Sequence, residues 1–159
     1  MSLGTGVTIR AMRRAELPAA AEVYLDARHA AGAAFPPSVH SDREVRAWVR
    51  SWDLSEDLVL GCFGRDGRLQ GFAWVSADHL EGLYVDPRVQ GSGVGSALLA
   101  KVKQVCPEGF DLWAFVTNTA ALRFYAAHGL VEVQRTDGAG NEERAPDLRM
   151  AWRLERPSG

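Results

Sequence analysis

Three alternating glycines, at positions 91, 93 and 95, form the most informative segment of this 159-residue sequence. A strand-like segment precedes them and a helix-like segment with periodic apolar residues follows them, so the glycines lie at a strand-to-helix turn. Glycine lets the backbone approach a ligand closely and take positive φ angles. The N–H groups at the start of a helix attract anions without help from a charged side chain. Residues 90–96 therefore predict a binding site for a pyrophosphate.

Three known phosphate-binding motifs are candidates for this turn. A Walker A loop requires a lysine before its Ser or Thr, whereas Ser96 follows Gly95 directly. A Rossmann fingerprint requires a tighter turn and an acidic residue at the end of the next strand, whereas Asp111 stands at the beginning of that strand. The coenzyme A loop, written Arg/Gln-x-x-Gly-x-Gly/Ala, matches from Arg88 to Gly93. A glycine-rich turn that binds nothing is the remaining interpretation.

A second segment, residues 118–130, strengthens the case for coenzyme A. It reads Asn-Thr-Ala-Ala-Leu-Arg-Phe-Tyr-Ala-Ala-His-Gly-Leu and matches the helical pattern Asn-x-x-Ala-x-x-x-Tyr-x-x-x-Gly-aromatic/aliphatic. With these two segments in this order, separated by a strand, the chain resembles the GNAT superfamily of N-acetyltransferases. The resemblance covers nearly the whole sequence and is firmest over residues 80–130.

The resemblance implies a binding mode for acetyl-coenzyme A as co-substrate. The parallel strands 80–85 and 110–116 should splay apart and receive the pantetheine arm between them. Backbone groups of Leu83 and Val85 would pair with that arm, and the N–H near Leu83 would polarise the thioester carbonyl. The residues assigned in this way to the cofactor are Leu83, Tyr84, Val85, Arg88, Gln90, Gly91, Ser92, Gly93, Val94, Gly95, Ser96, Asn118, Ala121 and Tyr125.

Two residues of the second segment have alternative interpretations. By the resemblance, Tyr125 is the general acid that protonates the departing thiolate, and Asn118 reaches the pantetheine amides. Tyr125 could instead pack into the core beside Leu122, and Asn118 could simply cap its helix. The sequence leaves these alternatives open.

His79 and Glu81 are the candidates for the general base that deprotonates the amine. They open the strand that would hold the thioester, and alternation places both on one face unless Gly82 marks a β-bulge. Histidine titrates in the useful range unaided, whereas Glu81 needs a raised pKa or a water relay. The family more often uses a carboxylate here, directly or through water, which favours Glu81. A solvated strand end is the alternative for both residues.

The resemblance places the acceptor pocket between the first two helices and the last hairpin. The hairpin loop carries four carboxylates against Arg144, which is typical either of a solvated loop or of an acidic lip that attracts an ammonium group. The carboxylates are those of Asp137, Glu142, Glu143 and Asp147. The first two helices offer Tyr24, Arg28, His29, Phe35 and His40, and the residues predicted to bind the acceptor are Tyr24, His29, Phe35, His40, Glu142 and Glu143. A small polyamine-like amine, an antibiotic, an amino acid and a protein N-terminus all remain open as acceptors.

Periodicity along the chain predicts the elements that position these residues, in the order β-α-α-β-β-β-α-β-α-β-β. Strands are expected at 7–11, 58–64, 69–77, 80–85, 110–116, 130–135 and 148–154, and helices at 16–29, 92–106 and 119–128. A further helix after Ser41 has the apolar stripe Val45, Trp48, Val49 and Trp52, and the helix at 92–106 places Val94, Ala97, Leu98, Val102 and Val105 on one face. A capping box of Ser41 and Glu44, an Asp-Gly hairpin turn at 66–67 and a left-handed cap at Gly129 mark element ends. The fold class is α/β: a mixed, mostly antiparallel central sheet with splayed parallel strands and flanking helices.

Composition indicates one domain and excludes several classes of protein. We expect a flexible leader at residues 1–6 and a single GNAT acetyltransferase domain at residues 7–156. A net charge of −2 argues against nucleic-acid binding. No apolar run approaches the ~20 residues of a membrane span, and no secretory signal is present. Cys62 and Cys106 lack metal-binding spacing, so we expect no metal, buried thiols and a cytoplasmic location.

These observations together predict an acyltransferase (EC 2.3.1.-) that transfers the acetyl group of acetyl-CoA to a primary amine. Its acceptor would be a small molecule that attacks directly in a ternary complex. A non-catalytic acyl-CoA sensor of the same fold is the alternative. A nucleotide-binding module is a weaker alternative, because the turn lacks the lysine of a Walker A loop. The family often dimerises, so a homodimer is among the expected states, whereas no nucleic-acid or membrane partner is expected.

Overall fold

The computed structural model describes residues 6–153. It consists of one seven-stranded sheet of order β1-β2-β3-β4-β5-β7-β6 with four α-helices. The strands are β1 (Thr8–Ala11), β2 (Leu58–Phe63), β3 (Leu69–Ser76), β4 (His79–Val85), β5 (Phe110–Phe115), β6 (Val131–Thr136) and β7 (Asp147–Trp152). The helices are α1 (Leu17–Ala31), α2 (Asp42–Arg50), α3 (Val94–Val105) and α4 (Thr119–Ala127).

The predicted order of elements and the predicted fold class are confirmed, with boundaries that shift by a few residues. Helix α1 continues two residues beyond the predicted end, and α3 begins two residues later than predicted because Gly93 is its left-handed N-cap. The predicted leader, apart from Gly6, and the predicted end of the domain at 154–156 lie outside the described residues.

All neighbouring strands in the sheet are antiparallel except β4 and β5. These two run parallel and share a single register position, His79 opposite Asp111. Beyond this position the two strands diverge, so the sheet opens between them. The predicted splay is therefore present.

The sheet separates two cores because successive residues of a strand face opposite sides. On one side, Phe72 of β3 packs with buried residues of α1 and α2. On the other side, Ala73 of β3 packs with α3 and with Tyr125 of α4. Two helical layers therefore cover the sheet, with α1 and α2 on one face and α3 and α4 on the other.

Strand β4 contains a bulge at the position where Gly82 predicted one. Leu80 pairs with Val75 of β3, and Gly82 pairs with Trp74, so Glu81 has no partner residue on β3. The extra residue reverses the alternation of faces. Leu80 and Leu83 consequently contact the same core although they are three positions apart.

Local sequence signals at the helix ends behave as predicted. Ser41 and Glu44 form the expected capping box, and Gly129 has a φ angle of 90°. Cys62 and Cys106 are buried free thiols. None of the helices within residues 6–153 combines the length and apolar character needed to cross a membrane.

Two predicted apolar faces need correction. Val105 is 40% exposed because it lies at the end of α3, beyond the core positions Leu98, Leu99 and Val102. Trp48 is 43% exposed, although the periodicity of α2 predicts it to be buried beside Val49. Its ring contacts Tyr24, Trp52 and Trp74 at centroid distances of 5.2–5.8 Å and borders a cavity instead of entering the core.

Candidate active site

The opening between β4 and β5 forms a cavity of about 410 Å³, here called the inner cavity. Its walls come from α1, β3, β4, β5 and α4, so residues distant in sequence meet there. The structure brings together nine of the predicted site residues in its lining: Tyr24, Phe35, Glu81, Leu83, Tyr84, Asn118, Ala121, Tyr125 and Glu143.

The position of Tyr125 is compatible with both interpretations that the sequence left open. Its side chain is 8% exposed and belongs to the core on the α3 and α4 face, yet it also lines the inner cavity beside Gly82 and Leu83. Burial raises the pKa of the phenol above its ordinary value, since the charged phenolate is poorly solvated there. The hydroxyl therefore keeps its proton at neutral pH and can act only as a donor.

The two candidate bases lie close together but have different surroundings. Glu81 is the bulged residue of β4 and lines the inner cavity. His79 does not line that cavity: its Nδ1 contacts Asp111 Oδ1 at 2.5 Å, while its Nε2 lies 3.9 Å from Glu81 Oε1. The bulge therefore directs Glu81 into the opening, and His79 is oriented by the strand beside it.

Asp111 is held from two sides. Its second oxygen accepts a hydrogen bond from Arg149 Nε at 2.6 Å. Burial raises the pKa of this carboxyl, but the hydrogen bonds from His79 and Arg149 outweigh that effect, so its pKa lies below the ordinary value. Asp111 is thus an ionised acceptor that orients the His79 ring.

The glycine-rich turn has the backbone geometry of an anion site. Gly91 and Gly93 have φ angles of 81° and 93°, and a Cβ built at either position would meet nothing within 4 Å. Gly93 is the N-cap of α3, and no side chain caps that helix. The first N–H groups of α3 consequently lack both intrahelical and side-chain acceptors, which leaves them available to phosphate oxygens.

The side chains of the same turn are largely engaged within the protein. Arg88 forms an ion pair with Asp86, with Nη2 2.8 Å from Oδ2. Ser92 Oγ donates to the Val89 carbonyl at 2.5 Å, and Ser96 Oγ lies 3.2 Å from His128 Nε2. A ligand at this turn would therefore contact mainly backbone groups, as expected for an anion site that contains no lysine.

Two more residues of the predicted cofactor site also have structural roles. The side chain of Val94 is 3% exposed and packs into the core, so only its backbone faces the turn. Asn118 caps α4, because its Oδ1 accepts a hydrogen bond from the Ala121 N–H at 3.3 Å. Asn118 also lines the inner cavity, so the cap and a cofactor contact are compatible at this position.

A second cavity of about 500 Å³, here called the outer cavity, adjoins the inner one between α1, α2 and the hairpin that joins β6 to β7. The two cavities share Tyr24, Arg28, Trp48 and Glu143 in their linings. The acceptor pocket predicted between the first two helices and the last hairpin thus corresponds to a continuous depression that leads to the β4–β5 opening.

Carboxylates from two elements border the outer cavity, and we call Glu44, Glu142 and Glu143 the acidic rim. His40 lies between them: its Nε2 contacts the Glu142 carboxylate, and its Nδ1 lies 3.8 Å from Glu44 Oε2. Asp137 and Asp147 do not line either cavity. Their side chains accept hydrogen bonds from Ala139 and Thr136 within the hairpin. Only half of the predicted acidic lip therefore faces the cavity.

His29 is the one predicted acceptor residue that the structure places outside both cavities. Its ring is exposed and lies 3.5 Å from Asp42 of α2. Successive residues of a helix are rotated by about 100°. Since Arg28 faces the cavities, the neighbouring side chain of His29 points away from them.

The predicted set of site residues did not include Asp111, Arg28 or Trp48. Asp111 lines neither cavity and was considered only as a Rossmann acid, although parallel pairing of β4 with β5 places it beside His79. Arg28 was among the residues that the first helices offer to the acceptor pocket, whereas Trp48 was assigned by periodicity to the apolar stripe of α2. Periodicity cannot show that a sheet opening lies opposite a helix. Within residues 6–153, no group of three or more His, Cys, Asp or Glu side chains is arranged to hold a metal ion.

Comparisons with known proteins agree with this geometry. The profile of the family described as "Acetyltransferase (GNAT) family" matches residues 18–130. Mycothiol acetyltransferase of Sanguibacter keddieii is 32% identical over 145 residues, which cover 80% of this chain and 44% of that protein. The chain therefore spans less than half the length of this relative.

Two further proteins are similar over most of their length. Peptidyl-lysine N-acetyltransferase YiaC of Escherichia coli is 28% identical over 151 residues, which cover 91% of this chain and 95% of that protein. The solution structure of apo-form YjaB from Escherichia coli has a TM-score of 0.76 and 25% identity, and the match covers 92% of this chain and 97% of that chain. On the family profile and the shared fold, the chain belongs to the GNAT family of acetyl-CoA-dependent acetyltransferases.

Proposed function

We propose that this chain transfers the acetyl group of acetyl-CoA to a primary amine of a small molecule, by direct attack within a ternary complex. The observation that carries the proposal is the inner cavity. It places a carboxylate, Glu81, and a buried phenol, Tyr125, in one lining with the diverging strands. An amine acetyltransfer needs one group that accepts a proton and another that donates one, and these two residues are suited to those tasks.

The cofactor would follow the diverging edge of β4. The N–H groups at the start of α3, beside Gly91 and Gly93, would bind the pyrophosphate. Backbone groups of Leu83 and Val85 would pair with the pantetheine arm, because β5 pairs with β4 at only one described register position. Asn118 lies in the same cavity and would contact the arm while it caps α4.

The chemical step balances with the residues of the cavity. The amine nitrogen attacks the thioester carbonyl, whose oxygen would be stabilised by the N–H near Leu83. An acceptor that arrives as an ammonium ion loses one proton before this attack and a second as the C–N bond forms. Both protons pass to Glu81, directly or through water, and from there to solvent. The C–S bond then breaks, the thiolate takes a proton from Tyr125, and the phenolate regains a proton from solvent. The products are the N-acetylated amine and coenzyme A.

Glu81 is our choice for the base. The bulge directs it into the inner cavity, whereas His79 contacts Asp111 and lies outside that lining. His79 Nε2 lies 3.9 Å from Glu81 Oε1, between that carboxylate and Asp111. We assign His79 and Asp111 a positioning role: Asp111 orients His79, and His79 lies beside Glu81.

The shape and charge of the outer cavity favour a small acceptor with an ammonium group. A cavity of about 500 Å³ lies within the range of roughly 300–1,000 Å³ that is typical of small-molecule sites. The acidic rim supplies negative charge at its border. The names of the two sequence relatives, a mycothiol acetyltransferase and a peptidyl-lysine N-acetyltransferase, indicate different acceptors.

A screen of primary amines against the purified protein tests the proposal. Thiol released from acetyl-CoA is measured with and without each amine, and mass spectrometry checks each hit for one added acetyl group. We expect at least one small amine to produce thiol and acetylated product in equal amounts. Binding of acetyl-CoA without amine-dependent thiol release would contradict the proposal and favour the acyl-CoA sensor.

A further inference from the structure

A cationic side chain at the junction of the two cavities has an unused hydrogen-bond donor. Arg28 Nη1 donates to Tyr24 Oη at 2.9 Å, and the guanidinium carbon lies 4.5 Å from the centre of the Phe35 ring. Its Nη2 is buried and has no hydrogen-bond partner among residues 6–153. A buried donor without a partner costs about 1–3 kcal/mol, so such groups are rare unless a water or a ligand satisfies them.

The charge of Arg28 is unpaired as well. Within residues 6–153, no carboxylate lies within the 4.0 Å that would define an ion pair with its guanidinium. Glu143 lines both cavities together with Arg28, yet the two do not form such a pair. The depression thus presents a positive group and a negative group that are held apart.

Only one other buried side-chain donor within the described residues lacks a partner, and its position is different. Trp52 Nε1 belongs to the core between α1, α2 and β3, and Trp52 lines neither cavity. Arg28, in contrast, is fixed on two sides by Tyr24 and Phe35 and lines both cavities. A guanidinium held in this way is suited to a planar, two-oxygen anion.

We infer that the acceptor carries a carboxylate that binds Arg28, so that the substrate class is amino acids and related amino-carboxylic acids. The inference rests on the proposed function, since it names the acceptor of that same site. The carboxylate would pair with Arg28 while the ammonium group lies toward Glu81 and the acidic rim. Simple polyamines offer no partner for Arg28 and would be poor acceptors.

Matched pairs of amines test this inference. Each pair consists of an amino acid and the amine that lacks only its carboxylate, such as lysine with cadaverine and phenylalanine with phenethylamine, and the corresponding amino-acid amides form a third set. The specificity constant kcat/KM is measured for each compound with the unmodified protein and with Arg28→Gln. Calorimetric titration of the acetyl-CoA-loaded protein with the same compounds provides a readout that does not require turnover.

We expect the carboxylate member of at least one pair to be preferred by about 10–100-fold, the range of a hydrogen bond to a charged group. Arg28→Gln should abolish this preference and leave the affinity for acetyl-CoA unchanged. Its melting temperature should fall only modestly, since the variant loses the contacts with Tyr24 and Phe35 but also the unpaired buried donor. A purely structural Arg28 would give a less stable protein with an unchanged preference. Arg43→Gln makes the same change at an exposed residue that lines neither cavity, and it should retain the preference.

The outcomes separate this inference from the proposed function. Equal use of acids, amides and carboxylate-free amines, or an unchanged preference in Arg28→Gln, would overturn the carboxylate site while acetyl transfer stands. If no compound is acetylated, the proposed function fails. The calorimetric titration then still shows whether Arg28 binds a carboxylate. Binding of the acids to the unmodified protein but not to Arg28→Gln would support the inference, and no binding of any acid would overturn it.

Discussion

At the scale of single residues, the degree of burial separates the two proposed proton-transfer groups. Tyr125 is 8% exposed and burial raises its pKa, so it holds its proton over the neutral range. Glu81 is exposed at the bulge of β4 and remains in contact with solvent. A donor that must not lose its proton early benefits from burial, and an acceptor that must release a proton to water benefits from exposure.

Replacement of the phenol alone tests the donor. We expect Tyr125→Phe to lower kcat by roughly 10²–10⁴-fold, the usual contribution of a general acid, and to leave the affinity for acetyl-CoA nearly unchanged. The ring that packs in the core is retained, so the melting temperature should change little. If the variant keeps full turnover while chemistry is rate-limiting, Tyr125 is a packing residue only.

The base is tested by the dependence of kcat/KM on pH. We expect the acidic limb of this profile to move or disappear in Glu81→Gln, since that limb reports the proton acceptor of the free enzyme. His79→Gln should change the limb less, because His79 would act only through its contact with Glu81. If the profiles of both variants are unchanged, water or another residue accepts the proton of the amine.

Residue types and spacing could select Tyr125, Glu81 and the glycines as candidates, and the structure places Tyr125 and Glu81 in the lining of the inner cavity. The pairing of His79 with Asp111 could not be read in this way, since it depends on the register of two strands that are distant in sequence. The exclusion of His29 depends on the rotation of α1 about its axis. The surroundings of these side chains could therefore not be predicted, because they depend on tertiary contacts.

At the scale of elements, the glycine turn before α3 is the segment whose proposed ligand depends most on particular residue types. We expect acetyl-CoA to raise the melting temperature, whereas ATP and NAD should not, because the turn lacks the lysine or acidic residue that those ligands use. Gly93→Val should abolish the shift, since the new side chain would fill the open space beside the helix start.

A control separates loss of the ligand from loss of stability. Gly67, in the hairpin between β2 and β3, also has a positive φ angle, 82°, and open space around its Cβ position. Gly67→Val therefore introduces a similar backbone strain of ~1–3 kcal/mol outside the turn. It should lower the melting temperature and keep the shift with acetyl-CoA. Equal stabilisation by ATP or NAD, or a full shift in Gly93→Val, would contradict the assignment of the turn.

The hairpin between β6 and β7 makes a prediction about the acceptor. Replacing Glu142 and Glu143 together by Gln should raise KM for the amine about two- to fivefold, because exposed charges contribute modestly to binding. The effect should be largest at low salt, since salt screens charges beyond ~8–10 Å. Asp137→Asn removes a carboxylate of the same hairpin outside the cavities and should leave KM unchanged. If the double substitution leaves KM unchanged at all salt concentrations, the hairpin is an ordinary solvated loop without a role in acceptor binding.

The order of the elements was predictable because each strand and helix has its own periodicity and its own start or stop signal. The splay of β4 from β5 followed from the family resemblance, and the bulge at Glu81 was indicated by Gly82. The division of the hairpin carboxylates was not predictable. It depends on hydrogen bonds within the loop, such as the one that Thr136 donates to Asp147.

At the scale of the whole molecule, the proposed function assigns the two helical layers to different substrates. The glycine turn, α3 and α4 lie on one side of the sheet, and α1, α2 and the outer cavity lie on the other. A continuous sheet would keep the two substrates apart. The divergence of β4 and β5 removes that barrier, so a thioester from one side and an amine from the other can meet at Glu81 and Tyr125.

Under the proposed function, the acetyl group passes directly between the two substrates. A single-turnover experiment tests that claim: the protein is mixed with a substoichiometric amount of acetyl-CoA carrying a labelled acetyl group, and an accepted amine is added at once or after a delay. We predict that the label stays on coenzyme A until the amine is present and then appears in the product as fast as free thiol is formed. Release of thiol before the amine is added, with the label bound covalently to the protein and later passed to the amine, would contradict direct transfer in the β4–β5 opening.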